Sequence, residues 1–475
     1  MTPQGAFEYL NRMAGIAPTS LPQFEGNEAQ LPTPFRAATA AAAALGFAAS
    51  AAGEIWRLRG GDKQAIAVEL AAAATTLNAA GLVRRDGKSL PQDDEAVTGF
   101  FQSGDGRWLR LHGGPHAERL LDLLNANNDA KAVMEGVAKW NGLALEDALA
   151  FMQLCGAVVR SEEEWRLSPQ GRLLGAPIVL RKIGAAPPLR LGESPTPLAG
   201  LRVLDVSRML AGPYGAQLLA SHGAEVLAVR AGRSSEHDVF SLWTDVGKRK
   251  TVLDLIKPAD AEALRRLARE ADLFVDSNRP GAMARLGFSP ASLAHIAPGM
   301  IYVSISAFGT EGPWASRRGF EDVAQAATGL TAEQGAFMAV ARRRGHHDVQ
   351  PELLPGHVLD TLTGQLAAAG AVAALIRRIR EGGSWLVQTS LAATAAWLNS
   401  LGRIDTGQVP LQGARTRGMD AYLRSCETEA GRLECLGPVV RMSKTPPLWS
   451  APGLQGAPRW TSSREELNAA EVQSA

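Results

Sequence analysis

Part of this chain occurs twice, and no other feature limits its possible folds as much. Residues Gly46–Gly81 read GFAASAAGEIWRLRGGDKQAIAVELAAAATTLNAAG, and Gly370–Gly402 read GAVAALIRRIREGGSWLVQTSLAATAAWLNSLG. Each run predicts an alanine-rich helix with a basic end, a Gly-Gly turn, a short strand, and a second alanine-rich helix closing on Leu-Asn and a glycine. Leu70-Ala71-Ala72 answers to Leu391-Ala392-Ala393, and Leu77-Asn78 to Leu398-Asn399. Alanine-rich helices resemble one another by composition, but the shared order of these landmarks speaks for duplication. Glycine enters the left-handed cap at no steric cost, so the Gly-Gly pair is a helix stop with a mechanism. The period is far too long for a solenoid. Phe100–Gly113 and Tyr422–Gly437 extend the likeness, each reading as a strand, a polar turn with glycine and an alternating strand. The first copy continues through helical stretches at His116–Leu124 and Leu145–Cys155 and a hairpin-like Val158–Leu167. The second ends soon after Trp449, so it is truncated.

Pro187–Pro197, PPLRLGESPTP, reads as a linker. Strand and helix then alternate. Strands are expected at Leu201–Val206, Ala224–Val229, Thr251–Leu255, Leu273–Asp276 and Met300–Ser306, and helices at Tyr214–Ser221, Ala259–Glu270 and Pro290–Ile296. This rhythm predicts an α/β fold, a parallel sheet with helices on its faces. Such sheets bind ligands at the carboxyl ends of their strands. The organisation expected is a partial large-domain repeat at 1–95, a small α+β domain at 96–186, the linker at 187–197, a large domain at 198–405, and a truncated small-domain segment with a tail at 406–475.

The chain has 475 residues, 46% of them hydrophobic. That is enough for more than one folded unit. Lys and Arg number 49 against 48 Asp and Glu, for a net charge of +1. This balance argues against bulk nucleic-acid binding, which usually shows a basic excess. Cys155, Cys426 and Cys435 form no CxxC pair, and an odd number argues against a disulfide framework, so they are expected reduced. The first twenty residues lack a basic region followed by an apolar one, as a signal peptide would have. The most apolar run, Ala37–Ala52, is shorter than the roughly 20 residues of a membrane span and predicts a packed helix. A cytoplasmic chain with no membrane partner is expected.

From Leu198 to Gly329 the segments, in order, resemble class III CoA-transferases, the family of formyl-CoA and carnitine CoA-transferases and of alpha-methylacyl-CoA racemase. LRVLDVSRMLAGP at Leu201–Pro213 is similar to the first strand and Ala-Gly-Pro turn of that family. HGAEVLAV at His222–Val229 is similar to its second strand, and GKRKTVLDL at Gly247–Leu255 to its Gly-Lys-Arg segment. DSNRPG at Asp276–Gly281 resembles an Asn-Phe-Arg-Pro-Gly type motif. IYVSISAFGTEGP at Ile301–Pro313 resembles the strand and glycine loop before the active site, and GFEDVAQAATG at Gly319–Gly329 falls where the family has Gly-Tyr/Phe-Asp, three residues and Gln-Ala. The likeness also covers Gly356–Asn399 and Phe100–Leu174. It implies a Rossmann-like large domain, a smaller α+β domain, an interlocked homodimer, and acyl-CoA and a small carboxylic acid as substrates, with no metal. One chain carrying two partial copies is expected to fold as a fused relic of that interlocked arrangement, each remnant completing the other.

The resemblance implies a carboxylate nucleophile, which attacks the acyl-CoA carbonyl and is then attacked by the free thiolate. Family members use aspartate. The matching position here is Glu321, followed by Asp322. The extra methylene moves the carboxylate oxygens by about 1.5 Å. Neighbouring helical positions point about 100° apart, so Glu321 and Asp322 are not expected to face one thioester; register favours Glu321, with Asp322 as the substitute. Backbone N–H groups of the loop Gly309–Gly312 are candidate oxyanion donors. For the phosphates of CoA the candidates are Arg279, then Lys248 and Arg249, then Arg208 and Gln217, since a guanidinium forks onto phosphate. Gly113-Gly114-Pro115 stands where some members carry a glycine run, and the flanking His112 and His116 are expected to face solvent. The segment Val340–Gln350, with Arg342–Arg344, His346 and His347, is either an anion site or a basic loop.

Two other readings stay open. A racemase on the same fold wants a histidine converging on a carboxylate, and no histidine lies between His295 and Glu321. A silent CoA-binding protein fits the truncation and the Asp-to-Glu change. A nicotinamide dehydrogenase is set aside, because SRMLAGPYG follows the first strand where GxGxxG would stand.

Overall fold

The computed structural model describes residues 1–28, 30–90, 95–231, 239–342, 349–405, 407, 419–428, 431–453 and 455–461. Its centre is a seven-stranded sheet. Six strands are parallel: Arg202–Asp205, Glu225–Arg230, Arg249–Val252, Leu273–Asp276, Ile301–Ser306 and Ser384–Ser390. Taken in chain order as 1 to 6, they lie 3-2-1-4-5-6 across the sheet. This is the doubly wound order, with a switch point between the first strand and the fourth. Ala211–Ser221 and Val358–Glu381 pack on one face, and Pro258–Arg269 and Pro290–Ile296 on the other. The expected α/β architecture is therefore present.

The seventh strand, Val179–Gly184, pairs antiparallel with Ser384–Gln388. It comes from the block expected as a separate small domain at 96–186, so that boundary is crossed. Its counterpart after the second copy is Val440–Met442, which pairs antiparallel with Ile66–Val68 of the first copy. Ile66–Glu69 also has a parallel neighbour, Pro22–Glu25, as Ser384–Ser390 has Ile301–Ser306. Each copy thus presents a strand with one parallel neighbour and takes its antiparallel neighbour from the segment that follows the other copy. The exchange is reciprocal and happens within one chain.

The leading helices of the two copies, Ala37–Leu58 and Val358–Glu381, pack against each other. Both are long and apolar enough to cross a membrane by length and composition, but their most apolar windows are 100% and 94% buried inside the fold. The first is longer than the run Ala37–Ala52 picked out in the sequence, because Gly53–Leu58 continue it. Small side chains let the helices approach closely. At Gly364 a Cβ would stand 2.5 Å from the Ala211 carbonyl oxygen, so only glycine admits helix Ala211–Ser221 there.

The Pro-rich segment is tied down. The buried guanidinium of Arg59, at the basic end before the first Gly-Gly turn, donates to the carbonyls of Pro197 (2.8 Å), Gly192 (2.7 Å) and Ala199. At the second Gly-Gly turn, Gly383 N–H donates to Ala186 O. Both duplicated turns therefore grip the segment that joins the copies. Hairpin Gly99–Gln102/Trp108–His112 extends through Cys155–Val158 into a three-stranded sheet. This sheet packs on helix Glu321–Ala327. The second hairpin, Leu423–Thr428/Gly431–Leu436, is completed by Arg84–Arg85 of the first copy. The tail returns to the large sheet, where Trp460 is buried against the Arg202 guanidinium.

Arg59→Ala strands three carbonyls that one cation satisfies. We expect a loss of about 3 kcal/mol in unfolding free energy, read by urea denaturation. A loss within experimental error would show that the linker does not depend on this cation.

Candidate active site

Helix Glu321–Ala327 begins where the chain leaves Gly319-Phe320, beneath the amino-terminal end of the long helix Val358–Glu381. Glu321 is 6% exposed and Asp322 8%. Glu321 Oε1 accepts from Leu359 N–H at 2.8 Å and from Gln325 Nε2 at 2.9 Å. Leu359 lies in the first turn of a 24-residue helix, where N–H groups lack intrahelical partners and the dipole favours an anion. Gln325, one turn after Glu321, is itself fixed by Leu354 N–H donating to its Oε1 at 2.9 Å. Glu321 Oε2 is buried, and its partner among the described residues is His357 Nδ1 at 3.3 Å.

Asp322 points elsewhere, as the helical step requires. Arg110 Nε donates to its Oδ2 at 2.8 Å, and His112 Nδ1 lies 3.0 Å from the same oxygen. The His112 ring stacks on Phe320 with centroids 4.1 Å apart. Arg110 and His112 occupy alternate positions of strand Trp108–His112 and so share a face. His112 is therefore corrected from a solvent-facing residue to a partner of Asp322. Burial alone would raise the Asp322 pKa, but His112 and Arg110 outweigh it and hold the carboxyl below the usual aspartate range.

Around Glu321 the opposite sign appears. Burial works against a charge on His357, yet the Glu321 carboxylate outweighs it and raises the imidazole pKa. Asp360, one turn into the same helix, is pushed up to about 8 by withdrawal from water and by the Glu321 charge. His357 therefore takes up a proton more readily than a free imidazole, and Asp360 keeps its proton through neutral pH.

The phosphate candidates separate into two groups. Arg208 and Arg279 flank the switch point. Arg208 N–H donates to Ser277 Oγ at 2.9 Å, and the Arg279 guanidinium, exposed, donates to Gln153 Oε1 at 2.9 Å. Arg119, Arg318 and His116 join them. Arg318 is held below its usual value by loss of water and then by Arg279 and Arg119, and His116 by loss of water and then by Arg318, Arg119 and Arg279. Arg318 Nε is buried without a hydrogen-bond partner.

Lys248, Arg249 and Gln217 are corrected. Lys248 is fully buried, with Nζ 2.7 Å from Asp205 Oδ2 and 2.6 Å from Pro213 O, so it pairs an interior carboxylate. The Arg249 guanidinium is committed to Glu225 and the Arg459 carbonyl. Gln217 is buried and donates to Trp243 O. The glycine loop is corrected as well. Gly309 N–H already donates to Ser306 Oγ at 3.1 Å. Gln170 braces the loop through Phe308 O, Glu311 O and Trp314 N–H, and a Cβ at Gly312 would stand 2.6 Å from its Oε1. The Gly309 N–H is thus already engaged, and Gly312 permits close packing on Gln170. Gly113 and Gly114 are likewise bonded, to Thr98 and Glu95. Arg342 pairs with Glu352 at 2.6 Å, while Arg343, Arg344, His346 and His347 lie outside the described residues.

Sequence reasoning missed His357, Asp360 and Arg110. A polar pair at the mouth of an otherwise apolar helix, PGHVLD, was the available signal for the first two, and the alternation of strand 108–112 for the third. Among the described residues no group of acidic, His and Cys side chains is arranged to hold a metal.

Residues 198–422 match the family model for CoA-transferase family III. An acyl-CoA transferase of Gibberella moniliformis is 30% identical over 321 residues, covering 62% of this chain and 55% of that protein. The acetyl-coenzyme A transferase nodX of Hypoxylon pulicicidum is 29% identical over 336 residues, 65% of this chain and 55% of that protein. A succinate–glutarate CoA-transferase of Agrobacterium fabrum is 32% identical over 206 residues, 39% and 48%. A crystal structure of the Mycobacterium tuberculosis protein Rv3272 superposes with a TM-score of 0.37 at 29% identity, over 43% of this chain and 58% of that one. The chain spans about half the length of the curated relatives it matches.

Because Asp322 is held below its ordinary value, its contribution to stability is present above the unfolded aspartate pKa of about 3.9 and lost as pH falls through the lowered one. Asp322→Asn leaves Arg110 unpaired and should cost about 3 kcal/mol at pH 7. The gap between the two proteins should narrow as pH falls below about 3.9 and close as pH passes the lowered pKa. A gap that does not narrow anywhere in acid would contradict the assignment.

Proposed function

We propose that this chain, whose residues 198–422 are a CoA-transferase family III segment, moves coenzyme A from an acyl-CoA donor to a carboxylic acid through a covalent intermediate on Glu321. One observation carries the reading. Glu321 has one oxygen anchored by two donors, while the other, Oε2, is met among the described residues by His357 Nδ1 alone, at 3.3 Å. Asp322, in contrast, spends its Oδ2 on Arg110 and His112.

In this reading Oε2 attacks the thioester carbonyl, the C–S bond breaks, and CoA leaves as the thiolate with the electron pair. The resulting mixed anhydride is attacked at the Glu321 carbonyl by that thiolate, which releases the donor acid and leaves CoA in thioester linkage to Glu321. The acceptor carboxylate attacks this thioester and expels the thiolate. The thiolate then attacks the acceptor acyl carbon, forming the new acyl-CoA and regenerating Glu321. Oε2 is enclosed, so attack requires an opening, and the less buried His357 side chain is the group we propose to move. Arg208 and Arg279 at the switch point, with Arg318, Arg119 and His116, form the anion site for the phosphates of CoA. Loss of water and the neighbouring cations hold Arg318 and His116 below their usual values there, and a bound phosphate would relieve both. The three free thiols fit the cytoplasmic setting we propose.

A second reading has its own observation. His357 beside Glu321 and His112 beside Asp322 are histidine–carboxylate pairs, the components of proton exchange alpha to a thioester. Alpha-proton exchange in heavy water without CoA transfer to any acid would favour it.

Glu321→Gln keeps the shape and removes the nucleophile, so transfer should fall at least about 1000-fold, to background. Glu321→Asp draws the carboxylate back by one methylene from anchors spaced for glutamate. Its kcat should fall on the order of 100-fold, with the KM for acyl-CoA little changed. Steady-state transfer kinetics reads both. Retained turnover in Glu321→Gln would remove Glu321 from the chemistry. Arg318→Gln should weaken CoA about tenfold by calorimetry and flatten the salt dependence; unchanged affinity would move the anion site elsewhere.

A further inference from the structure

A cavity of about 390 Å³ lies away from the carboxylates. One wall is helix Ala211–Ser221 with the turn that follows it. The opposite wall is the segment Leu436–Ser450 that trails the second copy, and Leu45 and Ala48 of the first copy close one side. The cavity is thus a seam created by the exchange.

Its chemistry is uniform. Among the described residues no Asp, Glu, Lys or Arg lines it. Tyr214 and Trp243 present a stacked pair, centroids 4.6 Å apart. His222 is buried, and loss of water pushes its pKa down to about 4, so the imidazole is neutral near pH 7. Its Nδ1 has no hydrogen-bond partner in the protein. A buried ring nitrogen left unpaired is costly, and a mainly apolar recess of this size, open in part to solvent, has the dimensions of a small-molecule site. Together they describe a mainly apolar, uncharged site in which two lining side chains, His222 and Trp449, each carry a nitrogen without a hydrogen-bond partner among the described residues. A 150 Å³ apolar cavity holds benzene, so this one has room for on the order of fifteen non-hydrogen atoms.

We propose that this cavity is a binding site for an uncharged, mainly aliphatic molecule with a hydroxyl end, of the class of medium-chain alcohols. A carboxylate end is disfavoured because no cation lines the walls, and a cationic end because no anion does. Because the wall 436–450 is held partly by the Val440–Met442 pairing, with Leu448 N–H donating to Ser221 O, an occupant also fastens the second copy to the large domain. The proposal is independent of the reaction at Glu321.

The test uses the full chain, with N-phenyl-1-naphthylamine as the fluorescent probe and 1-decanol and decanoate as competitors. Saturable one-to-one binding is expected, displaced by decanol at least tenfold more effectively than by decanoate. Ala48→Phe and Val439→Trp, which fill the space from the closing side and from the trailing wall, should each weaken the probe at least tenfold, whereas Glu321→Gln should not. Decanol should also raise the melting temperature of the wild-type protein in a dose-dependent way, a readout that needs no variant to fold. Absence of saturable binding and of any thermal shift would overturn the proposal. So would displacement by decanoate as effective as by decanol, or probe binding unchanged in both filled variants.

Discussion

Two short antiparallel pairings hold this molecule in its arrangement. Val179–Gly184 crosses from the first copy to strand Ser384–Gln388 of the second, and Val440–Met442 crosses back to Ile66–Val68 of the first. Neither copy has an antiparallel neighbour of its own for its strand, so each would present an unpaired edge without the other. Register fixes the consequences. Val387 lies opposite Leu180 and Val68 opposite Val440, and a one-residue slip would turn the buried side chains outward. The two partial copies are thereby paired to one another inside one chain.

The site depends on that closure from both sides. The hairpin of the first copy supplies Arg110 and His112 to Asp322, and the long helix of the second supplies Leu359 N–H and His357 to Glu321. Two buried adjacent carboxylates would be strongly unfavourable alone. Here one is neutralised by Arg110 and the other is met by a helix terminus and a histidine, and the remaining acid, Asp360, takes up a proton instead of a third charge. The same sorting separates the cations. Lys248 and Arg230 sit on interior aspartates, while the arginines around Arg318 crowd together near the switch point.

Local signals made the strand–helix rhythm, the duplication and Glu321 legible in the sequence, since each rests on spacing along the chain. GFEDVAQA fixes a helix start and the Gln325 one turn later that binds Glu321. What stayed hidden is set by pairing at long range. Lys248 reads as a phosphate ligand in GKRK because nothing nearby in sequence reveals Asp205, 43 positions away. Gly309 reads as an oxyanion donor because Ser306 and Gln170 take up the loop only once it folds. His357 lies 36 residues beyond Glu321 in the chain and 3.3 Å from it in space, so a search confined to residues before the carboxylate passes it by. The boundary drawn at residue 186 fails for the same reason: a strand partner is chosen by the sheet, and Val179–Gly184 has no local feature that names Ser384–Gln388.

The central claim is that one particular carboxylate, Glu321, carries CoA. The most direct measurement is rapid quenching of the protein with acyl-CoA in the absence of acceptor, followed by peptide mapping of the CoA-bearing residue. The account requires the adduct on Glu321, sensitive to hydroxylamine and absent from Glu321→Gln. An adduct on Asp322, or none in a protein that binds acyl-CoA and exchanges its alpha proton, would contradict it.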